Sequence, residues 1–158
     1  MEKILSKEQV KTALDECRRQ GKKIVFTNGC FDILHVGHVR YLREAKKLGD
    51  LLVLGLNSDS SVRVLKGEKR PLVPQDERAD VLAGLETVNY VTIFNEPTPL
   101  ELIEYLKPDF IVKGGDWSED AIVGADAVRT WGGRVVVAPL IENKSTTNIV
   151  EKILQIYR

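Results

Sequence analysis

The 158-residue chain reads as a single α/β domain, a Rossmann-like parallel five-stranded sheet with helices on both faces. Three observations predict it. Short apolar runs rich in valine and isoleucine alternate with segments of helical periodicity along the chain. One run, Leu51 to Leu56 (LLVLGL), carries no polar side chain at all, as a strand buried on both faces of a parallel sheet requires. Glycines and hydrogen-bonding residues cluster just after the strands, at the carboxyl edge where open α/β sheets bind ligands. No internal repeat, linker or low-complexity stretch divides the chain, so residues 1–158 are expected to form one domain. Within it, 1–22 form an N-terminal helical region and 23–158 the core.

Each element has its own signal. Ser6-Lys7-Glu8-Gln9 is a capping box, Val10, Ala13, Leu14 and Cys17 mark one helical face, and Gly21 stops that helix. Lys23 to Thr27 (KIVFT) is the first strand. Tyr41, Leu42, Ala45 and Leu48 carry the next helix, which ends at Gly49. After the Leu51–Leu56 strand, residues Arg63 to Pro74 (RVLKGEKRPLVP) read as a basic, proline-containing loop. Gln75 to Leu85 is helical, Tyr90 to Phe94 a strand, Pro99 to Leu106 a helix and Asp109 to Val112 a strand. Ala121 to Trp131 is expected to be helical, and Arg134 to Ala138 is the fifth strand. The last helix places Ile149, Val150, Ile153, Leu154 and Tyr157 on one face. The alternation implies right-handed crossovers.

Composition narrows the function. Formal net charge is zero, with no basic tail, so the chain lacks the electrostatic footprint of a nucleic-acid binder. No apolar run is long enough to span a bilayer, and residues 1–11 lack the apolar core of a signal peptide. Cys17 and Cys30 have neither metal nor disulfide spacing, which fits a reduced, cytoplasmic setting.

The chemistry gathers after the strands. Both histidines of the chain, His35 and His38, flank Gly37 where the first strand hands over to a helix. A helix amino end attracts phosphate through free N–H groups and its dipole, and Gly37 lets a ligand approach the backbone. Two imidazoles one helical turn apart can donate to one phosphate group, and fixed donors lower the barrier to phosphoryl or nucleotidyl transfer. A pair of structural histidines, or a zinc site completed by Asp32, is the competing reading. Asn57-Ser58-Asp59 follows the second strand, Lys113-Gly114-Gly115-Asp116 the fourth, and Ser145-Thr146-Thr147 precedes the last helix. The hydroxyl run can cap that helix and also hold a polyphosphate. Lys66, Lys69 and Arg70 lie around Gly67 and Pro71, a solvated loop or a flap that brings cations onto phosphates, and Arg78 can join them. Cys30 has no histidine–acid arrangement typical of a nucleophile and reads as a packing residue. Trp117 and Trp131 read as core or interface.

These residues resemble a known family. Asn28-Gly29-Cys30-Phe31-Asp32-Ile33-Leu34-His35-Val36-Gly37-His38 looks like the first signature of the cytidylyltransferase-like nucleotidyltransferases, and Ser145-Thr146-Thr147-Asn148-Ile149 like the second. The match runs from about Lys23 to Leu154. Thr27-Asn28-Gly29, Asn57-Ser58-Asp59, Leu65-Lys66-Gly67, Arg70-Pro71 and Val112-Lys113-Gly114-Gly115-Asp116 add a closer similarity. They resemble the adenylyltransferase domain of bifunctional ADP-heptose synthases. With no sugar-kinase motif in the chain, the likeness is to the stand-alone D-glycero-β-D-manno-heptose 1-phosphate adenylyltransferases. One stretch departs. Glycerol-3-phosphate cytidylyltransferases carry Arg-Thr-Glu-Gly-Ile before the hydroxyl run, whereas this chain has Leu140-Ile141-Glu142-Asn143-Lys144. That argues against a cytidylyltransferase of that type and leaves phosphate contacts to other cations, Lys144 among them.

The resemblance implies transfer of AMP from ATP to a sugar 1-phosphate, with Mg2+ arriving on the nucleotide. His35, His38 and Lys69 would be catalytic. Cys30, Phe31, Gly37, Lys66, Arg78, Gly114, Asp116, Ser145, Thr146 and Thr147 would bind the nucleotide. Asp32, Asp59 and Lys113 would meet the sugar or ribose, and no protein metal site is expected. A homodimer and a product destined for lipopolysaccharide core follow from the resemblance alone. Two alternatives stay open: a CTP-dependent transferase acting on a polyol or amino-alcohol phosphate, and a non-catalytic nucleotide-binding module on the same fold.

Overall fold

A computed structural model describes residues 2–115, 117–139, 142 and 144–158. In chain order the elements are α1 (Lys7–Arg19), β1 (Ile24–Gly29), α2 (Val36–Lys46), β2 (Leu51–Asn57), α3 (Asp59–Lys66) and α4 (Gln75–Ala83). Then come β3 (Tyr90–Phe94), α5 (Leu100–Leu106), β4 (Phe110–Gly114), a 3-10 turn (Glu119–Ala121), α6 (Ala125–Thr130), β5 (Arg134–Ala138) and α7 (Thr146–Tyr157). The five strands are all parallel, in the order β3-β2-β1-β4-β5. The chain winds outward from β1 to β3, then crosses back and winds the other way through β4 and β5. The reversal puts a switch point, and a crevice, between β1 and β4.

Two apolar cores cover the sheet. On one face Ile24, Phe26, Ile111 and Val135 pack against Val10 and Leu14 of α1, Leu102 and Leu106 of α5 and Val128 of α6. On the other, Val25, Leu52, Leu54 and Val112 pack against Leu42 and Ala45 of α2 and Ala79 and Leu82 of α4. Every residue of β2 is buried, as its unbroken apolar run predicts. The capping box at Ser6 is present, with Ser6 Oγ accepting from the Gln9 amide and Gln9 Oε1 from the Ser6 amide. Among the described residues no helix is long and apolar enough to cross a membrane.

Three expectations are corrected. Residues 59–66 are helical, so Arg63 to Lys66 are not loop. Ser58 Oγ caps α3 by accepting from the Ser61 amide at 3.2 Å, with Asp59 in the first turn and Arg63 and Lys66 in the last. The helix is short, and Val62 is its one buried apolar side chain, so little core surface marks it. The helix expected from Ala121 starts instead at Ala125, because Gly124 takes a left-handed φ of 89° and breaks the run. β1 runs on through Asn28 and Gly29, pairing them with Gly55 and Leu56. The apolar stripe of α7 is half-buried at Ile149 and Val150 and exposed at Ile153, Leu154 and Tyr157.

Candidate active site

The first histidine loop and the glycine loop after β4 face each other across the switch point. Its floor is tied together by hydroxyls. Thr27 Oγ1 and Tyr41 Oη lie 2.5 Å apart, and each reaches the Val112 carbonyl, at 3.0 and 2.8 Å. This pins α2 to β1 and β4, and burial pushes the Tyr41 phenol up to about 12.

His35 is the N-cap of α2, and His38 lies one turn on. His35 Nδ1 accepts from the Gly37 amide at 3.1 Å, and His38 Nδ1 accepts from the His35 amide at 3.3 Å. An acceptor at Nδ1 assigns the proton to Nε2 in both rings. The rings stack with centroids 3.9 Å apart and planes at 28°. Burial lowers the pKa of His38 to about 4, helped by the charge His35 would carry. Burial, then Lys144, also lowers that of His35. Near neutral pH the pair is therefore two uncharged rings, each with one outward N–H donor. Glycine is required beside them. A Cβ at Gly37 would lie 2.8 Å from the His35 ring and 3.2 Å from Lys144 Cβ. A Cβ at Gly29 would lie 2.8 Å from the ring of Phe31, which has a left-handed φ of 46° and packs at 5.0 Å on His38.

Three residues expected to meet ligand are engaged elsewhere. The Arg78 guanidinium is fully buried and donates to the carbonyls of Val73 (2.8 Å), Cys30 (2.6 Å) and Asn57 (2.9 Å) and to Asp59 Oδ1 (2.7 Å). It braces three loop ends and α3, and Asp59 is its ion-pair partner. Asp32 is a latch. It accepts from the amides of Leu72 and Val73, each at 2.9 Å, and from Arg70 Nη1 at 3.0 Å. Burial alone would raise its pKa, but those amides and Arg70 outweigh it and hold the carboxyl below its ordinary range. Arg70, one of the cations of the solvated loop or flap, closes the latch.

The remaining cations divide. Burial raises the Cys30 thiol pKa, and the charges of Lys66, Arg78 and Lys113 oppose it, so these groups gather around the end of β1. Lys113 is partly buried, and desolvation lowers its ammonium pKa, with Lys66 adding to the effect. Lys69 is exposed and makes no ion pair among the described residues. At α7, Ser145 Oγ caps the helix by accepting from the Asn148 amide at 3.0 Å. Thr146 Oγ1 donates to the Ile33 carbonyl at 3.1 Å, which ties this helix end to the histidine loop. Thr147 is exposed in the first turn. Gly114 closes β4 beside Ala138 of β5. Asp116, and Leu140, Ile141 and Asn143 of the departing stretch, lie outside the described residues.

Trp117 is not a core residue. It is half exposed and lines a hollow with Asn28 and Lys113. Its place after a glycine loop at a strand's carboxyl end was the available signal. Trp131 does pack on the α1–α5–α6 core, with Nε1 donating to the Pro108 carbonyl at 2.8 Å.

Known proteins are similar to this chain in sequence and fold. The family model described as cytidylyltransferase-like matches residues 26–152. The bifunctional protein HldE of Syntrophotalea carbinolica is 56% identical over 98% of this chain and 32% of its own length. HldE of Geobacter metallireducens is 61% identical over 89% of this chain and 29% of its own. The chain thus spans about a third of the length of these relatives. A crystal structure described as the lipopolysaccharide core biosynthesis protein from Thermoplasma volcanium is 30% identical with a TM-score of 0.64, covering 77% of this chain and 98% of that one. Pantoate-beta-alanine ligase from Francisella tularensis shares the fold, with a TM-score of 0.67 at 15% identity, over 98% of this chain and 80% of that one. Together with the paired imidazoles at the switch point and the hydroxyl-capped helix beside them, the family match over most of its length places the chain in the cytidylyltransferase-like family of nucleotidyltransferases.

Proposed function

We propose that this protein transfers AMP from ATP to D-glycero-β-D-manno-heptose 1-phosphate, giving ADP-heptose and pyrophosphate. The observation that carries the transfer chemistry is the histidine pair, two neutral rings whose Nε2–H groups point outward beside a helix amino end. The choice of ATP and heptose is supported by the resemblance in the strand-end motifs and by the high identity to HldE.

In the proposed reaction a phosphate oxygen of the sugar attacks the α-phosphorus of ATP. The bond from that phosphorus to the oxygen bridging to the β-phosphate breaks, and pyrophosphate leaves with the electron pair. His35 and His38 donate to oxygens of the α-phosphate and to the bridge, where charge builds in the transition state. Preset neutral donors need no reorganisation as the bond breaks. Free amides at the start of α7, with Thr147, hold the β- and γ-phosphates. Backbone groups at Cys30, Phe31, Gly37 and Gly114 place the nucleotide, and Asp116 is the proposed ribose contact. Lys66 and Lys113 balance the phosphate charge, and Lys69 adds to it from the exposed segment after α3. Arg78, Asp32 and Asp59 act by position, holding the loops that carry these groups.

Among the described residues no group of three acidic, histidine or cysteine side chains could cage a metal. Magnesium arriving on the nucleotide would be held by the polyphosphate, where it neutralises charge. The proposed setting is the cytoplasm. The homodimer implied by the resemblance would find uncovered apolar residues at the end of α7, and sedimentation equilibrium would test it.

The test of function is pyrophosphate release with heptose 1-phosphate and magnesium, offering ATP, CTP, GTP and UTP in turn. Release with ATP, and a product with the mass of ADP-heptose, is expected. Release with CTP alone, or none with this sugar, overturns the assignment of substrates.

A further inference from the structure

The sheet does not close evenly around the crevice. Between β1 and β2 the ladder runs from Ile24 and Leu51 to Gly29 and Leu56, whereas between β1 and β4 it stops at Phe26 and Ile111. The Val112 carbonyl is the next acceptor toward the crevice. Two hydroxyls serve it in place of a strand amide, Tyr41 Oη at 2.8 Å and Thr27 Oγ1 at 3.0 Å, and the two oxygens lie 2.5 Å apart. Thr27 is fully buried on β1, and Tyr41 stands on α2 one turn after His38. Residues three apart share a helix face, so Tyr41 and His38 move together. The buried side chains of α2, Leu42 and Ala45, are apolar. Apolar packing is non-directional: it presses the helix on the sheet without fixing where it sits along the strands. A hydrogen bond has a narrow geometry and does fix it. Among the described residues, Tyr41 is the only side chain of α2 that bonds to a strand.

We propose that Tyr41 is a positioning residue for the transfer. Its hydroxyl, through the Val112 carbonyl, sets the height at which α2 presents His38, and the His35 ring stacked on it, to the reacting phosphate. The inference rests on the transfer reading above and adds a residue that neither the sequence motifs nor that reading assigned. Val112 precedes Lys113 and Gly114, so one bond ties the donors on α2 to the strand end across the crevice from them. Aim is costly to lose: a misplacement of about 1 Å can reduce a rate about 10²-fold. The protons decide which hydroxyl matters. Two hydroxyls bring two protons to three contacts, so one donates to the carbonyl and the other to the carbonyl or to its neighbour. Without the Thr27 hydroxyl, Tyr41 still bonds Val112 and α2 stays tied. Without the Tyr41 hydroxyl, Thr27 still satisfies the carbonyl and β1 stays joined to β4, but α2 is released. The position of the histidines and the integrity of the sheet therefore depend on different members of the pair.

Two measurements test this. The first is steady-state kinetics with the nucleotide and acceptor that support pyrophosphate release. Tyr41→Phe is expected to lower kcat by about tenfold or more, with KM for both substrates within about threefold. Thr27→Val removes the more buried hydroxyl and should keep kcat within about threefold. In a His38→Ala background, adding Tyr41→Phe should cost about threefold or less, because residues that act through one another are not additive. Equal losses in Tyr41→Phe and Thr27→Val would make the pair a purely structural tie and overturn the proposal. So would a loss below about threefold in Tyr41→Phe, or an undiminished loss in the His38→Ala background. The second measurement needs no turnover. The chain has two histidines, so nitrogen–proton correlation spectra of the imidazoles can follow each ring. Tyr41→Phe should shift the ring signals of His38, and Thr27→Val should leave them in place. A parent that transfers no nucleotide to any acceptor would sink the transfer reading. Unshifted His38 signals in Tyr41→Phe would remove the positioning role whatever the parent catalyses.

Discussion

On the α2 side of the β1–β4 edge, almost every polar side chain is held by another part of the chain. Both imidazoles accept from backbone amides, Asp32 is gripped by Leu72, Val73 and Arg70, and Arg78 ties Cys30, Asn57, Val73 and Asp59 together. On the α5 side the wall is a half-exposed tryptophan and a half-exposed valine, with Lys113 at the rim. The contrast follows what each side is asked to do. Donors that stabilise a transition state are useful only if already aimed, so their orientation is fixed by buried hydrogen bonds. A wall of uncovered apolar side chains offers area rather than fixed direction.

If that contrast is right, damage to the braced side should be much more costly than damage to the open one. The greatest loss is expected at Arg78. Arg78→Ala leaves three carbonyls and a carboxylate without their partner and should cost about 3–5 kcal/mol in urea unfolding. Arg78→Lys should recover little, because an ammonium cannot reproduce the guanidinium fork. A loss below about 1 kcal/mol would mean that the brace is dispensable.

His38→Ala comes next, and it separates chemistry from stability. With ATP and the sugar phosphate, kcat should fall by about 10²–10³, the usual cost of one lost transition-state donor. A folded variant with near-normal kcat would end the proposed role. Asp32→Asn tests the latch. Losing the charge that holds Arg70 and two amides should cost about 1–3 kcal/mol. It should also raise KM for ATP more than it lowers kcat, since the cations after α3 lose their anchor.

The smallest effect is in pH. The folded pKa of His38 is about 4, below the ordinary 6.5, so the unfolded chain binds this proton first. Stability from the neutral ring is complete above about pH 6.5 and is lost as pH falls toward 4. Partial hydration of the ring limits the loss to about 1–2 kcal/mol. Thermal melts across that window should show a smaller drop in His38→Gln than in the parent. An identical drop would assign the acid sensitivity to other groups.

Much of this was legible before any coordinates. The five strands follow from runs of branched apolar residues, because burial on both sheet faces leaves no room for polar side chains. The histidine loop, the hydroxyl run and the glycine loop after β4 stood out because few residue types suit a phosphate at a strand–helix junction. Helix α3 was missed because it is short, buries only Ser61 and Val62, and runs straight into the basic, proline-containing stretch. The histidine tautomers, the enclosure of Arg78, the grip on Asp32 and the exposure of Trp117 were not legible. The tautomers turn on how the Gly37 and His35 amides meet the two rings within one turn, whereas Arg78 and Asp32 depend on partners far away in the chain: Arg78 meets Cys30 across 48 positions, and Asp32 meets Leu72 across 40. Residue type tells what a side chain can donate or accept, and that settled the chemistry on offer. Which acceptor lies within three ångströms is decided by the packing of the sheet and its loops. That packing made Arg78 a brace and left Trp117 half exposed while Trp131 packs on the core.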